Sequence, residues 1–487
     1  MIGITTFPRL YRDSVTLMAL ASRLEKLESV ERAGVMMATP ANLAILAEAG
    51  LIDGGDSWAP DDLVVAVRAA SQEALAEAEQ IARQALGGEG GAEGSSAQSP
   101  APGSIPEALA AGFDATLACV SVPGAYASSV VEDALTAGLH VFCFSDNVTV
   151  EDEVRLKLLA RERGLLLMGP DCGTAMIDGV GLGFVNEVRR GPVGLVSASG
   201  TGAQEVACLL DHAGVGVAQI LGVGGRDLSA EVGARMTFSA LELLAADPDV
   251  GIIVVVSKPP AREVAGQVVA RLADLATPDR PDVACLLGAA DAGQAGTDPL
   301  LIRGSLESAA VAAARAAGAD VSAGPPVRTT PAADPHHDII GLFTGGTLAG
   351  EARLILTGAG ITAEIHDLGD DQYTRGRPHP MIDPTPRAEW IGSLAERDPG
   401  VLLVDVVLGH GSHPDPAGEL VGAVAALRAA NPAASAWQVV AAVTGTERDP
   451  QHLSSQLDRL TDAGIGAHLS TAAAARAAAT LALGGTA

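Results

Sequence analysis

Aromatic side chains make up 3% of the 487 residues, cysteines number five, and Lys and Arg total 31 against 59 Asp and Glu. Each scarcity excludes something. A formal charge of -28 repels nucleic acid and anionic membranes, so neither is expected as a partner. No apolar run approaches the ~18 residues of a membrane span, and the start MIGITTFPRLYRDS lacks the basic start and apolar run of a signal peptide. A cytoplasmic protein is expected. Cys119, Cys143, Cys172, Cys208 and Cys285 show no CxxC spacing, and all but Cys172, which sits in a polar turn, lie in apolar runs. That suits reduced core thiols rather than disulfides or zinc. With so few aromatics, the core must be built from small side chains in close-packed helices and parallel strands.

What is present is length enough for several domains and a hydrophobic share of 48%. Residues 1–86 alternate strand and helix patterns and predict a small α+β module of the ferredoxin-like kind. GGEGGAEGSSAQSPAPGS, residues 87–104, reads as a flexible linker. Beyond it, short apolar runs alternate with helical patterns, the mark of βαβ units and parallel sheets. The rhythm predicts a Rossmann unit over 105–190, a second α/β unit over 191–322 and, after the linker SAGPPVRTTPAADPHHD, a third over 336–487. The expected fold class is α/β: several open Rossmann- or flavodoxin-like parallel sheets plus the N-terminal module. Ligands of such sheets sit at the carboxyl ends of the strands.

The turns at those ends carry the candidate chemistry. SVPGAYA, FSDNV and MGPDCGTAMI follow strands of the first sheet and offer Pro123, Asn147, Asp171 and Cys172 to one pocket. SASGTGAQEV is sharper. Ser197, Ser199 and Thr201 supply hydroxyls, Gly200 and Gly202 allow close backbone approach, and the unpaired N–H groups of the helix that follows favour an anion. FTGGTLAGEA repeats the design with Gly345, Gly346 and Thr347. Helix capping explains either turn alone; two helix starts aimed at one point would hold a phosphate. Arg226 in GRDLS and Lys258 in SKPP stand at strand ends where a cation can hold a carboxylate or phosphate. DDQYTRGRPHPMIDPTPR gathers Arg375, Arg377, His379, Asp383 and Arg387 in a stretch too Pro-rich for a helix. GHGSHPDP places His410 and His413 after the strand VLLVDVVL, suited to acid/base work, with a metal site that includes Asp415 as the competitor. The histidines at 336 and 337 read as solvated linker.

In this order, SVPGAYA, FSDNV, MGPDCGTAMI, PVGLVSASGTGAQEV, GVGGRDLS and VGIIVVVSKPP resemble the FdrA family, acyl-CoA synthetase-like relatives of the succinyl-CoA synthetase α subunit. The third unit resembles the ligase domain of the β subunit. The resemblance implies a phosphate site between two helix N-termini, around Ser199 and Gly346. It breaks where the synthetases carry a phosphorylated histidine: LLGAADAGQAG has none. An ATP-grasp domain and the Gly-rich turn that opens the synthetase CoA domain are also missing, so no cofactor is expected and CoA is disfavoured. Phosphate is then expected to arrive on a substrate. The family's association with oxamate carbamoyltransferase implies carbamoyl transfer between carbamoyl phosphate and a small acid such as oxamate in allantoin-derived purine catabolism, within a homo-oligomer and with partner subunits. His410, Lys258 and Arg226 are the expected catalytic residues, with Arg377, His379 and His413 on substrate. The alternatives are a CoA ligase or CoA transferase subunit using Cys172, and a non-catalytic ligand-sensing subunit. Since Ala289–Gln294 offers no histidine, incubation with γ-labelled ATP should leave no acid-labile phosphohistidine; mass-spectrometric mapping of one would overturn the reading.

Overall fold

The computed structural model describes residues 1–10, 12, 14–52, 58–60, 62–87, 102–277, 280–293, 298–321, 338–374, 378–430 and 433–484. Most of the expected first linker, both histidines at 336 and 337, and Arg375 and Arg377 lie outside them.

Residues 1–87 form an antiparallel sheet ordered β1-β3-β2, from β1 (Ile2–Phe7), β2 (Val30–Met37) and β3 (Leu63–Ala69). Helices Ser14–Glu25 and Gln72–Gly87 cover one face through Leu17, Leu20, Leu24, Ala78 and Ala82, packed on Val35, Val65 and Val67. This is a ferredoxin-like arrangement with three strands in its sheet. β2 is an edge strand.

The first parallel sheet holds β4 (Leu117–Val120), β5 (His140–Cys143) and β6 (Leu167–Met168) in that order. The boundary expected at 190 falls earlier. β7 (Thr174–Ile177) and β8 (Val180–Gly183) form a hairpin that joins the next sheet, β7 lying antiparallel to β10. That sheet contains β9 (Val193–Ser197), β10 (Val217–Gly222), β11 (Ile252–Ser257), β12 (Asp282–Leu286) and β13 (Leu300–Arg303), ordered β13-β12-β11-β9-β10-β7-β8. The last sheet is parallel throughout, ordered β15-β14-β16-β17-β18, from β14 (Ile339–Phe343), β15 (Glu364–Asp367), β16 (Val401–Val407), β17 (Gln438–Thr444) and β18 (Gly466–His468). β9, β11, β16 and β17 are buried at every residue, as their unbroken aliphatic runs require of strands covered on both faces.

The two larger sheets share one core. A single hydrophobic cluster runs from Met176 through Val254 and Leu301 to Phe343, Leu403 and Leu481. Between the sheets, helix Gly200–His212 packs on Gly346–Gly358 of the other unit, and helix Leu306–Ala316 packs on Thr471–Ala482. Both ligase-type units are thereby held in fixed register.

The first parallel sheet shares an aliphatic cluster with the next, from Val141 and Leu167 to Val196 and Ile253, and a buried charge network crosses between them. Lys157, fully buried on helix Val150–Glu162, donates to Glu153 Oε1 (2.7 Å), Asp227 Oδ1 (2.8 Å) and the Val223 carbonyl (2.9 Å), using all three of its protons. Asp227 also accepts from Thr237 N (2.8 Å) and Oγ1 (2.7 Å), at the start of helix Arg235–Ala246. Removing one member of such a set strands the others without compensation. Lys157→Ala should therefore lower the unfolding free energy by ~3–5 kcal/mol in denaturant titration; a loss below about 1 kcal/mol would show that the network carries no structural load.

Candidate functional site

The site begins at two strand ends. Ser199, two residues beyond β9, caps helix Gly200–His212 and its Oγ accepts from Gly202 N (2.8 Å). The same Oγ donates to Thr347 Oγ1 (2.6 Å), in the first turn of helix Gly346–Gly358 beyond β14. Gly345 is pressed against Thr201, where a Cβ would fall 2.8 Å from its Oγ1. The two glycine turns thus meet across the boundary between the units.

They are not electrostatically equal. At the first, the Gly202 and Ala203 N–H groups bond Ser199 Oγ and Ser199 O, which leaves those of Gly200 and Thr201 for a ligand. At the second, Thr344 N and Gly345 N both donate to the buried Asp405 carboxylate (2.8 Å each), which Arg387 backs at 3.3 Å. The Asp367 carboxylate closes on Gly346 so tightly that a Cβ there would collide with it. The two capping residues have both spent their N–H groups, Gly345 on Asp405 and Ser199 on Ser197 Oγ (3.1 Å), while those of Gly200 and Thr201 and of Gly346 and Thr347 have no partner among the described residues; the ends differ in the carboxylates of Asp405 and Asp367, which stand against the second.

Around this junction lies a cavity of about 1390 Å³. Its wall includes Pro123, Asn147, Asp171 and Cys172 from the first-sheet turns, Ser197, Ser199, Gly200 and Thr201, then Arg226 and Lys258, and Gly345, Gly346, Thr347 and His379 from the last unit. Gly202 packs beneath its capping serine, and Ser197 Oγ donates to the Ser199 carbonyl (2.6 Å), so both shape the turn. Asn147 and Asp171 hold left-handed backbone, φ 54° and 55°, at the cavity wall. The N-terminal module closes one side with Arg32, Gly34 and Met36 of β2.

Several assigned roles change. His410 is not on this wall: its imidazole is half exposed and meets Glu187 Oε1 at 2.7 Å, while its backbone pairs with Val185. The loop after β16 has been drawn onto the neighbouring unit and away from the junction. His413 lies 3.1 Å from Lys26 of the N-terminal module, so it joins modules rather than touching the cavity. Asp415 is engaged by Arg459 (2.9 Å), and among the described residues no three metal-capable side chains converge. Arg226 reaches the cavity, but its guanidinium is held by Glu153 Oε2 and the Val148 carbonyl, each at 2.8 Å, which fastens the Asn147 turn. Cys172 is 3% exposed, its thiol donates to the Thr174 carbonyl (3.4 Å), and burial pushes its pKa up to about 12, far from a thiolate. Asp383 bonds Thr385 N and Oγ1 to start a helix, Thr385–Ser393, inside the stretch read as too Pro-rich for one; Arg387 on that helix is buried.

His379 becomes the histidine of the site. Its Nδ1 accepts from Met381 N (3.2 Å), its ring tilts against Phe184 with centroids 5.8 Å apart, and burial pushes its pKa down to about 4. It is a neutral imidazole with its proton on Nε2. Asp367, which sequence patterning did not single out, faces Lys258; burial raises its carboxyl, and the lysine partly offsets the rise. Its placement at the end of β15 was the available signal.

Behind the junction lies a reciprocal pair. Glu205, on helix Gly200–His212, accepts from Thr471 N (3.0 Å) and Oγ1 (2.6 Å) at the start of the last unit's final helix. Glu351, on helix Gly346–Gly358, accepts from Leu306 N (2.7 Å) at the start of the other unit's helix. Each unit caps a helix of the other. Burial raises both carboxyls, Glu205 to about 7 and Glu351 well above its ordinary value, and the charge of Glu205 adds to the rise at Glu351.

Comparison with known proteins places this geometry in a family. A family model described as CoA-ligase matches residues 342–481, and one described as AllF, heavy metal-associated domain, matches residues 1–102. The uncharacterized protein YahF of Escherichia coli (strain K12) is 38% identical over 513 residues, covering 95% of each chain. The chain belongs to the YahF family. Succinate–CoA ligase (ADP-forming) subunit alpha 2 of Archaeoglobus fulgidus is 33% identical over 116 residues, 23% of this chain and 40% of that subunit. Among solved structures, the dinucleotide-forming acetyl-coenzyme A synthetase 1 of Ca. Korarchaeum cryptofilum aligns over 75% of this chain and 82% of its own at 17% identity and a TM-score of 0.33, too loose to carry an argument. This member of the YahF family is an acyl-CoA synthetase-like, succinyl-CoA ligase-like protein. Residues 1–102 contain neither Cys nor His, so this module has no thiolate or imidazole to hold a heavy metal, and methionine thioethers are its soft donors. Among the described residues no helix is long and apolar enough to cross a membrane.

The buried acids set a pH dependence. A carboxyl raised in the folded state contributes stability that is complete below its ordinary 4.5 and is lost as the pH rises through the folded value. Glu351→Gln should flatten the fall in Tm between pH 5 and 8; an unchanged slope would show that Glu351 is ionised throughout.

Proposed function

We propose that this chain binds carbamoyl phosphate within a carbamoyltransferase, moving the carbamoyl group between phosphate and oxamate or a similar small acid in allantoin-derived purine catabolism, together with partner subunits. The carrying observation is the Ser199–Thr347 junction in a walled cavity, with Gly200 and Thr201 N–H groups that have no partner among the described residues and no histidine in the stretch Ala289–Gly293. That stretch is folded back, with Ala292 paired to Ile302 and Arg303 donating to the Ala292 carbonyl (2.7 Å). A phosphate arriving on a small substrate fits such a site.

In the transfer, the amide nitrogen of the acceptor attacks the carbamoyl carbon, the C–N bond forms, the C–O bond to phosphate breaks, and the nitrogen loses a proton. The helix start and Lys258 stabilise the charge on the departing phosphate. Asp367, with its raised carboxyl, takes the proton, and neutral His379 donates from Nε2 to the developing oxyanion. The first-sheet turns on the cavity wall, from Ser121 to Thr174, carry no Lys or Arg, which favours a small phosphate ligand over the several phosphates of CoA. The buried Cys172 likewise disfavours a thioester on this chain.

The test is phosphate release from carbamoyl phosphate plus oxamate, measured on the purified chain with and without its genomic neighbours. Oxamate-dependent release is expected, and its absence from the complete complex would overturn the proposal. Lys258→Ala should reduce turnover by roughly a hundredfold, whereas His410→Ala should leave it close to wild type. A hundredfold loss at His410 would return catalysis to the loop after β16.

A further inference from the structure

Two side-chain oxygens in the cavity wall lack a hydrogen-bond partner among the described residues: Thr174 Oγ1 and Gln204 Oε1. Their residues are 2% and 1% exposed. Buried polar atoms are rarely left unpaired, and each orphan indicates what a ligand must supply.

The orientation of Gln204 is fixed by its surroundings. Asn186 Nδ2 donates to the Leu408 carbonyl (3.0 Å) and to Asp449 Oδ2 (2.8 Å), so Asn186 presents its oxygen to Gln204. Gln204 must then offer its Nε2 (3.0 Å), and its Oε1 is left over as an acceptor. Gln204 lies four residues after Gly200, on the same helix face, and helical side chains lean toward the N-terminus. Thr174 Oγ1 stands 3.1 Å from where a Cβ on Gly200 would be. One face of one helix end therefore combines N–H and O–H donors for an anion with a lone acceptor about one turn, ~5 Å, further along.

We infer that Gln204 is the specificity residue for the group carried by the phosphate: its Oε1 accepts an N–H of the carbamoyl NH₂, while the Gly200 and Thr201 N–H groups and Thr174 Oγ1 bind the phosphoryl oxygens. This rests on the reading of the cavity as a carbamoyl phosphate site and goes beyond it, because it says how the site rejects an acyl phosphate of the same shape. A methyl in place of the NH₂ leaves a buried acceptor unpaired, which costs about ten- to a hundredfold in affinity.

The test uses two hydrolysis-stable phosphonates that differ only there, carbamoylmethylphosphonate (NH₂) and acetonylphosphonate (CH₃), with inorganic phosphate as the third probe, titrated calorimetrically into the full chain. The wild type should bind the amide at least about tenfold more tightly than the ketone. Gln204→Met should bring the amide down to the ketone while leaving inorganic phosphate unchanged, and Thr174→Val should weaken all three together. Equal affinities in the wild type, which needs no variant to fold, would overturn the Gln204 assignment and leave the phosphate site standing, as would a preference retained in Gln204→Met. Failure of all three probes to bind would overturn the carbamoyl phosphate reading and this assignment together.

Discussion

The hydrogen bond from Ser199 Oγ to Thr347 Oγ1 is the point from which the site is laid out. It requires two helix starts, from two sheets, to arrive within a hydroxyl's reach of each other. The aliphatic core shared by those sheets and the reciprocal caps of Glu205 and Glu351 hold them there. With the junction fixed, the remaining wall follows: the end of β11 brings Lys258, the end of β15 brings Asp367, the segment before helix Thr385–Ser393 brings His379, and the first-sheet turns close in beside the Lys157 network. Small residues at the contact are a condition of this closeness, since a side chain on Gly345 would push Thr201 away.

The elements were legible because their cause is local. Aliphatic runs of five to seven residues such as VGLVS and VLLVDVV read as strands buried on both faces, and the structure buries them at every position. The glycine turns were legible for the same reason: a capping serine and an opening glycine state their geometry within a few residues. What sequence could not supply was the partner of each charge. Arg226 looks free in GRDLS, yet Glu153 waits for it across a sheet boundary. His410 looks poised after a strand, but an antiparallel bridge to Val185 carries it to Glu187. The turn around Cys172 is polar, yet the thiol itself is interior, bonded to the Thr174 carbonyl at the start of β7, while Asp171 beside it stays exposed.

Electrostatic asymmetry between the two halves was equally hidden. FTGG and SASG read as one design twice, but Asp405 lies far along the chain from the turn it occupies. The repetition is therefore one of shape. Both helix starts keep first-turn N–H groups toward the cavity, but the second stands against two carboxylates, Asp405 beneath its cap and Asp367 at the cavity. Opposite polarity on facing walls suits a ligand that has an anionic end and a proton to lose.

The open edge of β2 borders the cavity. A strand edge in solvent offers unpaired backbone groups to any passing chain and is a common seed of aggregation. Here Ala33 N–H, within β2, is answered by Glu25 (2.9 Å), and the larger units stand across the gap. The larger units therefore stand over this edge of the module, so that cutting the chain between them would remove one wall of the cavity and leave the β2 edge open to solvent.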